Sequence, residues 1–102
     1  MSIVAMKVVK AEAHPDPKVT RLRVYKFADE TGAELQIVAN LTHVYEVGDV
    51  AAVAKIGTVL VEDGKEMEIA RANLRGLDSY GMALGRVDDP VGTDLTARFS
   101  AR

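Results

Sequence analysis

The chain has 102 residues, the size of one domain with a buried core, and carries 13 basic against 15 acidic side chains. A hydrophobic content of 48% and a charged content of 27% exclude a disordered chain, and the absence of cysteine excludes disulfides and thiolate-held metals. The net charge of −2 and a pI near 5.6 exclude a generic polyanion binder, so any nucleic-acid role must rest on a local patch.

Residues 1–7 lack the basic start and apolar run of a signal peptide. The apolar-leaning residues 50–61 are broken by Lys55 and Gly57 and fall far short of the ~20 residues of a spanning helix. The expectation is a cytoplasmic protein without a membrane segment.

Residues 3–11 alternate loosely, are rich in β-branched side chains, and predict a first strand. His14-Pro15-Asp16-Pro17 cannot continue a ladder and predicts a rigid loop. Residues 19–27 predict strand two. With Leu22 and Val24 turned to the core, period two puts Arg21, Arg23 and Tyr25 on the opposite face. A turn at 29–32 leads to strand three at 34–39, giving an antiparallel hairpin.

Asn40 is a good N-cap, and Leu41, Val44 and Tyr45 recur at helical spacing, so residues 40–47 predict a short helical turn. Residues 50–56 are nearly all apolar and predict strand four, buried on both faces. Asp63-Gly64 is a hairpin signal between strands at 58–61 and 66–70. Residues 80–87 predict the last main strand, with Met82 and Leu84 on its buried face, and 91–99 a short strand or strand-like tail. The sum is an all-β chain: one domain over 1–102, a five-stranded Greek-key barrel of OB type with the helical turn between strands three and four.

Catalysis finds little material. His14 and His43 stand far apart, no Ser or Cys sits in a nucleophile-like setting, and Asp88 and Asp89 flank Pro90 as in a solvated turn. Neither an enzyme nor a metal or cofactor site is expected. His14 reads either as a structural cap or as part of a site. Arg21, Arg23, Tyr25 and Lys26 read either as a solvated sheet face or as a basic surface with a stacking ring. Between residues 71 and 82, Arg71, Asn73, Arg75 and Ser79 supply forks and donors, while Gly76 and Gly81 let the chain turn tightly or another surface come close.

His14-Pro15 before a strand with Leu22 and Val24, then Ile37-Val38-Ala39-Asn40, Leu74-Arg75-Gly76 and Ser79-Tyr80-Gly81-Met82-Ala83-Leu84, resembles the OB-fold tRNA-binding domain family. That family includes free-standing tRNA-binding proteins, domains appended to methionyl- and phenylalanyl-tRNA synthetases, and a secretion chaperone. The resemblance runs from about residue 6 to 86. It implies binding of tRNA by shape and a homodimer, and it carries over to Asn40, Arg75, Ser79 and Met82. Where many members have Ser-Gly after strand three, this chain has Ala39-Asn40.

The resulting expectation is a non-catalytic binder of structured RNA, most of all tRNA. Arg21, Arg23, Lys26, Arg71 and Arg75 contact phosphates, Tyr25 or Tyr80 stacks, and Asn73 and Ser79 donate hydrogen bonds. A chaperone-like module for unfolded peptides and an accessory domain of an RNA-processing or synthetase complex are the alternatives. Dimerisation would use the apolar ends, Ile3 and Val4 with Leu95 and Phe99.

Overall fold

A computed structural model describes residues 2–99 and residue 101. Five strands form a curled antiparallel sheet in the order β3-β2-β1-β4-β9, an arrangement consistent with an OB-like fold. They are β1 (Ile3–Ala13), β2 (Leu22–Ala28), β3 (Glu34–Asn40), β4 (Val50–Lys55) and β9 (Gly81–Arg86). Two small hairpins interrupt the path from β4 to β9: β5 (Val59–Glu62) with β6 (Lys65–Glu68), and β7 (Ala72–Leu74) with β8 (Leu77–Ser79).

β1 can serve two neighbours because it is long. Its first half pairs with β4 from Ile3↔Ala54 to Lys7↔Val50, and its second half pairs with β2 from Lys7↔Ala28 to Ala13↔Arg23. The two runs meet at Lys7, and a register shift between Val8 and Lys10 within the β1–β2 pairing leaves Val9 exposed. The sheet therefore has two apolar faces. Met6, Val8, Tyr25, Phe27, Ile37, Tyr45, Ala51 and Val53 fill the inner one. Ile3, Ala5, Ala52 and Ala54 lie on the other, under Ile69 and Leu95. β4 is buried on both sides from Ala51 to Ala54, as its unbroken apolar run leads one to expect.

Several expectations need correction. Residues 40–47 contain no helix: the Asn40 Oδ1 accepts from the Thr42 N–H at 3.0 Å, an Asx turn, while Tyr45 plugs the core. One helical repeat of Leu41, Val44 and Tyr45 does not offset the cost of nucleating a turn. Five residues, 29–33, separate β2 from β3. Residues 91–99 form no strand. The Leu95 N–H bonds the Ile3 carbonyl at 2.7 Å and the Ala5 N–H bonds the Thr93 carbonyl at 3.0 Å, strapping this segment along β1. Ile3 and Leu95 are thus buried against each other's surroundings within one chain and are not free to pair across a two-fold axis.

Surface and half-buried carboxylates are tied into this frame. The Thr31 hydroxyl above all lowers the pKa of Asp29, the Glu46 N–H and then Arg86 that of Asp49, Arg98 that of Asp89, and the Thr96 hydroxyl that of Asp94. Each pKa lies below its unfolded value of about 3.8, so the stabilisation is complete above that range and is lost as pH falls through it. Thermal melts should give a constant Tm from neutrality to about pH 5 and a falling one below about pH 4. A Tm that is flat to pH 2 would refute these ties.

Candidate nucleic-acid interface

Tyr25 is the largest departure from expectation. It is 0% exposed, so it cannot stack on a ligand. The alternation along β2 is as expected, but the inner core lies on the side of Tyr25 and Phe27. Tyr25 packs edge-on to Tyr45 at 5.3 Å between centroids, and its hydroxyl accepts from the Tyr45 N–H at 3.2 Å. Arg23 shares that side and is half-buried, its guanidinium carbon 6.0 Å from the Tyr25 ring centre and its Nε buried without a partner. Lys26 is half-buried on the other side, and Arg21 is exposed just ahead of the strand.

The β7–β8 hairpin turns on Arg75-Gly76, both left-handed at φ 55° and 90°, a type I′ geometry. Arg75 is an unusual occupant, since a side chain there is strained by about 1 kcal/mol. Two ties hold it. The Asn73 Oδ1 accepts from the Gly76 N–H at 3.1 Å, and the Asn73 amide donates to Asp78 at 3.2 Å. The Arg75 carbonyl is also met by His14, only 6% exposed, with Nε2 at 3.1 Å. The Asp16 N–H donates to the His14 Nδ1 at 3.1 Å, so the hydrogen sits on Nε2 and is given to Arg75. His14 is therefore structural, and the His-Pro-Asp-Pro loop buttresses the hairpin tip. The Arg75 side chain itself is exposed.

Ser79 is 3% exposed and also departs from expectation. Its Oγ accepts from the Val38 N–H at 3.0 Å and donates to the Gly81 carbonyl at 3.2 Å, which leaves no donor for a ligand. Beside it, the Tyr80 N–H bonds the Gln36 carbonyl at 2.8 Å and the Gln36 amide donates to the Asp78 carbonyl at 2.9 Å. Residues 78–81 thereby fasten β3 to the start of β9. Gly81 sits where an added Cβ would lie 2.7 Å from the Ala54 carbonyl oxygen, so close packing is what that glycine serves.

Next to this clasp a cleft of about 670 Å³ opens between β3, the start of β9 and residues 67–74. It brings together Asn40, Arg71, Met82 and the edge of Ser79 with Leu22, Leu74 and Met67. Met82 is 39% exposed in it, not buried in the core. Arg21 lines an adjoining hollow that shares Asn40 and Thr42. Tyr80, also exposed, lines a separate cavity with Lys55 and Ile56. Arg23, Tyr25, Lys26, Asn73 and Arg75 do not line the cleft. On the 67–74 wall the sequence singled out Arg71 as a site residue but not Met67, Glu68 or Leu74, because their place depends on how the linker packs.

Charge is distributed usefully. Lys10, Arg86 and Arg98 are paired with Glu12, Asp49 and Asp89 at 3.4, 3.0 and 2.6 Å. Among the described residues no ion pair engages Arg21, Arg23, Lys26, Arg71 or Arg75. No group of three or more potential metal ligands occurs among the described residues, and no helix is long and apolar enough to cross a membrane.

Residues 3–97 match the family model tRNA_bind, "Putative tRNA binding domain". The chain belongs to this tRNA-binding domain family. Relatives of the domain lie in phenylalanine–tRNA ligase beta subunits. That of Psychrobacter arcticus is 34% identical over 91% of this chain and 13% of its own length, and that of Ralstonia nicotianae 42% over 78% and 10%. The chain spans about a tenth of the length of these curated relatives. Among solved structures, a Naegleria gruberi RNA ligase with AMP and Mn superposes with a TM-score of 0.77 at 15% identity, over 98% of this chain and 34% of that one. An ATP- and Mn-containing structure of the ligase gives 0.78 at 14%, over 100% and 35%. At such identity the likeness concerns the fold of the tRNA-binding domain alone.

Proposed function

We propose that this tRNA-binding domain is a non-catalytic binder of structured RNA, with tRNA as its ligand, on an OB-type Greek-key barrel. The observation that supports it best is that Arg71 lines the cleft with Asn40 and Arg21 lines the adjoining hollow, both exposed and without an ion pair among the described residues, with Arg75 equally exposed and unpaired on the neighbouring hairpin. An acidic protein with two free arginines beside one cleft can hold a polyanion there through local charge despite its negative total. In this reading Arg21, Arg71 and Arg75 meet phosphates, Asn40 and Asn73 donate to sugar or phosphate oxygens, and Tyr80 offers an exposed ring. The position of the domain in relatives ten times longer also favours work as an accessory part of a synthetase-like assembly.

Each phosphate-contacting cation contributes about −0.9 to the slope of log K against log salt on a duplex region. Removing Arg71 and Arg75 should flatten that slope by about 1.8 and weaken tRNA binding at low salt. Arg71→Ala with Arg75→Gly is the variant of choice, because glycine relieves the left-handed turn and should keep or raise the Tm. Gel shifts between 50 and 200 mM salt read the slope, and thermal melts read the fold. No binding at micromolar protein, or an unchanged slope in the double variant, removes this reading.

A further inference from the structure

The cleft beside the β7–β8 hairpin is more apolar than phosphate contact requires. Leu22 and Leu74 line it, and Met67 and Met82 stand in it 48% and 39% exposed. Large side chains of this kind are normally covered, and a concave apolar site of about 670 Å³ has the size of a small-ligand pocket. An RNA duplex offers a convex, polyanionic backbone, which calls for a ridge of cations and has no part that enters such a hollow. A base turned out of its stack has the matching profile: two apolar π-faces, a polar edge, and a phosphate on each side that stays outside.

The polar groups fit that profile. The Asn40 Oδ1 is engaged by the Thr42 N–H, which fixes the amide and leaves two N–H donors available on a residue that lines the cleft. Glu68 is also among the lining residues, and its carboxylate can accept from an exocyclic amino group. Arg71 on the wall and Arg21 in the adjoining hollow flank Asn40 with positive charge, where the phosphates on either side of an inserted nucleotide would run. The methionine thioethers are soft, adaptable partners for an aromatic face. The flanking cations favour a nucleotide over the apolar side chain of a peptide, which would leave them unanswered.

We propose that this cleft receives one unpaired nucleobase, so that the ligand is structured RNA with an extruded or loop nucleotide, not uninterrupted duplex. The inference rests on the RNA-binding reading above and names what that site takes.

Two RNAs with equal numbers of phosphates test it, a fully paired blunt duplex and a duplex of the same length in which one 2-aminopurine stands opposite a base it cannot pair with. The wild-type protein should bind the second about 10-fold more tightly and change the aminopurine fluorescence, as expected for one stacked base. Met82→Ala, and separately Met67→Ala, should remove most of that preference while leaving affinity for the duplex unchanged. Both residues are exposed, so the variants should fold, and a thermal melt checks it. Equal affinity for the two RNAs overturns the inference and leaves the RNA-binding reading standing. Binding of neither RNA removes both. An unfolded apolar peptide that binds wild type, is weakened by Met82→Ala, and meets no preference for the unpaired base overturns it in favour of a peptide site.

Discussion

Tyr25→Ala should lower the stability of the fold by about 3–5 kcal/mol, the range for a buried aromatic side chain truncated to alanine. The ring is wholly enclosed between Phe27, Ile37 and Tyr45, and its hydroxyl receives the Tyr45 N–H. Two costs combine: the cavity left by the ring, and a buried amide left without an acceptor. Tyr25→Phe separates them, since it keeps the ring and should cost only about 1–2 kcal/mol through the orphaned Tyr45 N–H. Urea unfolding measures both. If Tyr25 instead lay on an RNA-facing surface, the alanine variant would keep its urea midpoint and lose RNA affinity.

Ser79→Ala carries the second large effect, about 2 kcal/mol, although it removes a single oxygen. That oxygen accepts from the Val38 N–H across the β3–β8 junction, and the site is too enclosed for water to replace it at once. The amide of Val38 should exchange with solvent much faster in the variant, because the junction opens locally before the rest of the sheet. The Gly81 carbonyl loses its partner at the same time. An unchanged exchange rate at Val38, with an unchanged urea midpoint, would show that the clasp holds nothing.

These two residues also show where the sequence stops being legible. Period-two alternation in β2 separates Leu22, Val24 and Lys26 from Arg23, Tyr25 and Phe27, but alternation alone does not say which set faces the core. Both sets contain buried members, Val24 at one side and Tyr25 at the other. The aliphatic pair drew the inward assignment, yet the larger aromatic rings fill the inner core. Hairpins were legible where the turn chemistry was conventional: Asp63-Gly64 adopts φ values of 52° and 74°, as that dipeptide favours. The β7–β8 hairpin was not, because Arg75 is a poor left-handed residue and is held there by His14, 61 positions away. The cations of the candidate interface were visible as residue types. Their freedom from ion pairs, and the cleft that Arg71 lines and Arg21 adjoins, depend on contacts between elements remote in sequence, which no local pattern encodes.

The strap of residues 92–95 along β1 has a consequence for how such a unit can be used. With the Leu95 N–H on the Ile3 carbonyl, and with Ser2 held by Thr58 and Ala101 bridged to Leu60 two residues on, the first and last described residues lie side by side. A unit with adjoining entry and exit can be spliced into a surface loop of a host polypeptide as a cassette. The host's loop ends need not be pulled apart, and the entropy of closing the longer loop grows only slowly with length. Portability of this kind follows from one short backbone pairing.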